Sequence, residues 1–180
     1  MDTIDVELEI GTRTHEDGTI GKFQYIHLVL NGKRISAPFD CFTLIYSTSF
    51  KRTVMELTTC SCGNAGCAGV FYGSKIKRKA RSVEVTRIDD QLPNRFYRFP
   101  LQQWDDAVTK TIEFLYKLAD LRETEGYDGY EGPDEYDGIF GFNSRDEVTD
   151  RLDRGLEWTK RHEQNYEHLV RMSDPTRRGW

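Results

Sequence analysis

Phe23-Gln24-Tyr25-Ile26-His27-Leu28-Val29-Leu30, followed by Asn31-Gly32, is the stretch that decides the fold. Aromatic and branched residues crowd it, as they do in strands, and Asn-Gly is the pair that most readily takes the two left-handed positions of a type I′ hairpin turn. A strand that doubles back after two residues is antiparallel to its successor. Lys33 to Ile35 begins the return, and upstream Val6-Glu7-Leu8-Glu9-Ile10 alternates apolar with acidic residues. That alternation fits a strand with one face in a core and the other in water.

Working outward, Phe42-Thr43-Leu44-Ile45-Tyr46 and Val54-Met55-Glu56-Leu57-Thr58 read as further strands. Val70-Phe71-Tyr72, the run from Ile76 through Val85 to Ile88, and Asn94-Arg95-Phe96-Tyr97-Arg98-Phe99 complete the set. Beyond Pro100 the period changes. Trp104, Val108, Ile112, Leu115, Leu118 and Leu121 or Arg122 recur at three- and four-residue steps, predicting an amphipathic helix over 100–122. Ser144-Arg145-Asp146-Glu147 is a capping box that opens a second helix, over 144–173, which Asp174-Pro175 stops. Strands followed by helices predict an α+β fold, an N-terminal antiparallel β-sheet and then two long amphipathic helices. The expected layout is one domain over 1–180: mainly β over 1–99, helix over 100–122, an acidic Tyr/Gly loop over 123–143, helix over 144–173 and a tail over 174–180.

Composition narrows the function classes. Hydrophobic residues make up 37% and charged residues 31% of the 180, ordinary proportions for a globular chain that can bury its own core. No run approaches the roughly 18 apolar residues of a membrane span, and Met1-Asp2-Thr3-Ile4-Asp5 lacks the basic and apolar regions of a signal peptide. The expectation is a cytoplasmic protein, where thiols stay reduced. Charge is lopsided: residues 1–100 carry 14 Lys and Arg against 11 Asp and Glu, whereas residues 101–180 carry 11 against 19. An acidic half attracts basic partners and argues against direct nucleic-acid binding, except through the basic run near Lys75. In that run Lys75, Lys77, Lys79 and Arg81 alternate with Ile76, Arg78 and Ala80, which reads as a charged edge strand that resists aggregation or as a surface for the acidic loop of a second copy.

Three of the four cysteines, Cys60, Cys62 and Cys67, fall in one glycine-rich segment with the spacing Cys-x-Cys-x4-Cys. Thiolates at this density can hold a borderline metal such as zinc, exchange disulfides or pack as small apolar groups, while Gly63 and Gly66 allow the chain to turn and converge them. A tetrahedral zinc site needs a fourth ligand, for which Cys41 and His27 are the candidates. The other histidines read as surface or packed residues: His15 in a polar turn, His162 and His168 on the last helix. A Cys67–His27 dyad would make a thiol enzyme, but nothing in the spacing assembles one, and the chain reads as a non-enzyme.

The segment between the helices, from Glu123 to Gly138, has seven acids, no base and three tyrosines. It lacks the ordered alternation and closing Glu of an EF-hand loop. It reads either as a solvated linker or as a recognition loop, with Tyr127, Tyr130 and Tyr136 as anchors and Asp128, Glu131, Asp134, Glu135 and Asp137 steering a basic partner. The sheet surface around Tyr46 and Phe71 is the next candidate interface.

At Thr59-Cys60-Ser61-Cys62-Gly63 and Gly66-Cys67-Ala68-Gly69 the chain resembles a group of small bacterial proteins with a TCSCG-x2-GCAG core followed by a strand and an aromatic segment, a likeness that spans residues 54–116. Such proteins are regarded as immunity or accessory factors that act beside toxins. The resemblance implies a protein-binding protein whose partner is a cognate toxin or another basic protein. The alternatives are a zinc-stabilised regulatory or adaptor module and a thiol enzyme.

Overall fold

The computed structural model describes residues 1–14, 16–18, 20–58, 73–125 and 144–155. The deciding stretch folds as its sequence indicates. Strand β1 (Ile4–Thr14) pairs antiparallel with β2 (Ile20–Leu30), in the register Val6↔Leu28, Glu7↔His27, Glu9↔Tyr25 and Gly11↔Phe23. Asn31 at φ 52° and Gly32 at φ 72° then turn the chain into the short β3 (Lys33–Arg34), with Leu30 opposite Lys33. Both left-handed positions of the type I′ turn are therefore filled, by the two residue types that reach them at least cost.

The chain forms a mixed α+β fold, with two sheets among the described residues rather than one. The first has the order β1-β2-β3; the second, β4-β5-β6-β7, is built from Arg52–Met55, Ser74–Arg78, Ser82–Arg87 and Phe96–Pro100, every pair antiparallel. The division arises where a strand was expected over Phe42–Tyr46. That segment is instead helix α1 (Cys41–Tyr46), continued by a 3-10 turn over Ser47–Ser49. Its start is fixed by Asp40, whose carboxylate accepts from the Thr43 amide and the Thr43 hydroxyl, each at 3.0 Å. A short apolar run buried on every side has no period to separate helix from strand, and the cap settles it. Tyr46 consequently lies on a helix and not on a sheet surface.

Strand β5 carries the basic run, and it too departs from expectation. It pairs with β4 on one side and β6 on the other, so it is an inner strand.

Helix α2 (Leu101–Glu125) ties the two sheets together, lying against β1 and β2 of the first and β6 and β7 of the second. Glu123, Thr124 and Glu125, expected in the acidic loop, are its last turn. Its buried face holds Trp104, Ala107, Val108, Thr111, Leu115, Leu118 and Ala119. Trp104 is the pivot: its ring meets Phe99 of β7 at 5.6 Å between centroids and its indole N–H donates to Ser47 Oγ at 3.1 Å. Two ion pairs flank it, Arg78 on Asp105 and Lys110 on Asp5, each at 2.8 Å.

A further helix, α3, is described over residues 145–155; the expected continuation to 173 lies outside the described residues. Ser144 caps it, its hydroxyl accepting from the Glu147 amide at 3.3 Å. The helix docks on α1 and α2: Tyr46 donates to the Arg151 carbonyl at 2.6 Å, the Arg151 guanidinium lies 4.4 Å from the Phe42 ring centre, and Val148 is buried in the core. No helix among the described residues is long and apolar enough to cross a membrane.

Candidate functional site

The outer face of the first sheet carries a groove with a volume of about 340 Å³. Period-2 alternation builds it. Gln24, Ile26, Leu28 and Leu30 of β2 turn into the core, which sends Phe23, Tyr25 and His27 to the opposite face. Those three rings form a row, with centroids 5.6 Å apart from Phe23 to Tyr25 and 5.8 Å from Tyr25 to His27. Gly11, directly opposite Phe23, makes room for the first ring: a Cβ there would lie 2.5 Å from Phe23 Cζ. The far wall is the segment Ile35-Ser36-Ala37-Pro38-Phe39, which leaves β3 and leads into α1.

Polar groups gather at one end of the row. Glu9 accepts from His27 Nε2 at 2.8 Å and from Arg34 Nη1 at 2.7 Å, while Glu7 accepts from Arg34 Nε at 2.6 Å. Arg34 reaches both acids because β3 lies beside β2 and its long side chain crosses that strand. The hydrogen bond from His27, followed by the charge of Arg34, holds the Glu9 carboxyl below its usual range, so it is ionised at neutral pH. With Nε2 donating to Glu9, the imidazole is held in one orientation. An apolar trough with a fixed carboxylate–imidazole pair at its rim suits a side chain that is mostly apolar and carries a hydrogen-bonding tip. Sequence reasoning named His27 but overlooked Phe23, Tyr25 and Glu9 as site residues. The signal was present, since aromatic residues at i, i+2 and i+4 on a strand share a face.

The other candidates fall elsewhere. Cys41 opens α1 in the core with no exposed surface; burial, then the neighbouring Asp40, pushes its thiol well above the ordinary range, so at neutral pH it is a protonated thiol rather than a thiolate. Cys41 thus lies in the core and His27 in the groove. Cys60, Cys62 and Cys67, like Tyr127, Asp128, Tyr130, Glu131, Asp134, Glu135, Tyr136 and Asp137, lie outside the described residues. Among the described residues no group of three His, Cys, Asp or Glu side chains is placed to hold a metal ion.

What is described of the cysteine segment is its root. Residues 59–72 connect β4 to β5, whose ends pair Met55 with Ser74. Asp90 lies across the junction, accepting from the Leu57 and Thr58 amides at 3.0 and 3.1 Å, from Ser74 Oγ at 3.1 Å and from Thr58 Oγ1. Asp89 accepts from the Gly73 amide at 2.7 Å, and Gly73, at φ 67°, returns its carbonyl to the Ile88 amide at 2.9 Å. Phe39, at the end of the groove wall, bridges to Thr58. Groove wall and cysteine root therefore meet at this bridge, where the Asp40 amide donates to the Leu57 carbonyl at 3.0 Å. Glu56, next to the root, has its carboxyl pushed up to about 7, by burial first and then by the charges of Asp40, Asp90 and Asp89.

The chain matches no protein-family model, no curated protein and no solved structure, so the groove's own chemistry speaks for what it does.

Proposed function

We propose that this chain is a protein-binding protein, an immunity protein that neutralises a cognate bacterial toxin, and that the groove on the first sheet receives an anchoring side chain of that partner. The row Phe23–Tyr25–His27 beside Glu9 carries this reading. Interface energy concentrates in aromatic pockets whose rims exclude water, and a groove of this size holds one or two side chains rather than a polymer. The row is carried on paired strands β1 and β2, whose ladder already fixes the backbone beneath it. Support also comes from the surplus of acids over residues 101–180 and from the likeness of the cysteine segment to immunity and accessory proteins. On this reading the acidic tyrosine segment steers a basic toxin and the groove seats its anchor.

The test is a binding titration against the product of the adjacent gene. Tyr25→Ala is expected to speed dissociation about tenfold or more with association little changed. Neutralising Asp128, Glu131, Asp134, Glu135 and Asp137 together should slow association at low salt alone, since exposed charges act over roughly 10 Å at 0.1 M. Absence of any complex, or a complex indifferent to Tyr25→Ala, overturns the reading.

A further inference from the structure

The second sheet has an outward face that the groove does not use. Its inner face, with Ile76, Val83, Val85, Tyr97 and Phe99, is buried against the core and α2. Alternation sends Arg52, Lys77, Glu84 and Arg98 outward, and the register lines them up side by side across all four strands: Arg52↔Lys77, Lys77↔Glu84, Glu84↔Arg98. Lys75 lies outward two residues along β5, in line through Thr86 with Phe96, a large apolar side chain left 51% exposed. Neighbouring strands stand about 4.8 Å apart and alternate residues about 6.6 Å apart, so these cations form a flat array and not a single cluster. Glu84, the acid within this array among the described residues, accepts from Lys79 Nζ at 2.7 Å and pairs with Arg98 Nη2 at 2.9 Å, which holds two long side chains over the sheet.

We propose that this face binds single-stranded nucleic acid, with the lysines and arginines on its phosphates and the Phe96 ring stacked on a base. Charge alone would accept any polyanion. An exposed ring set in a cationic sheet favours a chain that alternates phosphate with a flat apolar base. The net charge of −5 does not oppose this, because the charges are segregated. Asp106, Glu113, Asp120 and Glu123 are exposed on α2, the helix that covers the sheet's other face. Among the described residues, charge is thus segregated across the sheet, cations on its outward face and acids on the helix behind it.

The test measures fluorescence anisotropy of a labelled oligouridine of about 12 nucleotides, a length within the range one small binding face covers. Affinity should fall steeply between about 50 and 200 mM salt, and Lys75→Ala with Lys77→Ala should weaken binding about tenfold and make the log–log salt slope shallower by about 1.4. Phe96→Ala should weaken binding about tenfold with the slope unchanged, because stacking releases no counterions. Lys117→Glu on α2 should leave binding as it was. Circular dichroism checks that each variant is folded, and Lys77→Glu alone replaces the double variant if that one is not. Three results overturn the proposal: no binding at low salt, binding to heparin as tight as to the oligonucleotide with Phe96→Ala silent, or preference for a peptide of residues 123–138 over the oligonucleotide. The last would assign the face to an acidic protein segment.

Discussion

Gly11 and Glu56 show how single residues set the properties of the site and its surroundings. The Phe23 ring occupies the space a Cβ on Gly11 would need, so Gly11→Ala forces the ring off its strand and opens the end of the aromatic row. The expected outcome is a changed near-ultraviolet circular dichroism signal and weaker partner binding, with stability altered by about 1 kcal/mol or less, because the ring is at the edge of the fold and can move. Glu56 makes a prediction about pH. Its carboxyl titrates near 7 in the folded protein against 4.5 in the unfolded chain, so the folded state holds the proton more tightly. Its contribution to stability is full below the unfolded value, declines as pH rises and is gone above about 7. Comparing urea midpoints at acidic and mildly alkaline pH, Glu56→Gln should remove a loss of about 1–2 kcal/mol that the native chain suffers, a figure discounted because the group is partly exposed.

Among the elements, the junction of β4 and β5 and the docking of α3 depend on contacts that substitutions can isolate. Asp90 receives donors from both sides of the junction, and an amide in its place would turn an N–H pair toward some of them. Asp90→Asn is expected to cost about 2 kcal/mol and to speed hydrogen exchange at Leu57 and Thr58 before the rest of the sheet. In α3, a Cβ on Gly155 would fall within the Tyr46 ring, so Gly155→Ala should cost about 1–3 kcal/mol and release the Tyr46 hydroxyl from the Arg151 carbonyl. The elements differed in how openly the sequence announced them. The β2 turn was legible because Asn31-Gly32 is tied to one geometry, and α2 because its period persists over many residues. The helix at Cys41–Tyr46 was not, for its apolar run shows no solvent face and its only signal is Asp40 three residues before Thr43. The inner position of β5 was equally hidden, since a run of lysines reads as an edge until its pairing on both sides is known. The groove's rings were legible in spacing, but the wall over Ile35–Phe39 required the tertiary fold.

At the scale of the whole molecule, α2 makes the two sheets interdependent. Trp104 is fully buried and touches β7 through Phe99 and the turn after α1 through Ser47, so its removal weakens both sides of the helix at once. Trp104→Ala should cost about 3–5 kcal/mol, and amide exchange should quicken in β1 and β2 as well as in β6 and β7. Exchange confined to β6 and β7 would show that the sheets unfold separately. The root of the cysteine segment has a different kind of consequence. Because Asp89 and Asp90 fasten residues 57–58 to 73–74, the two points where the cysteine segment leaves and rejoins the scaffold are held together by groups outside that segment. For flexible sequence placed between such pinned points, closure entropy grows slowly with length, each doubling costing only about 0.6 kcal/mol. The junction is therefore a graft point, where added sequence meets ends already held in place by the scaffold that carries the groove.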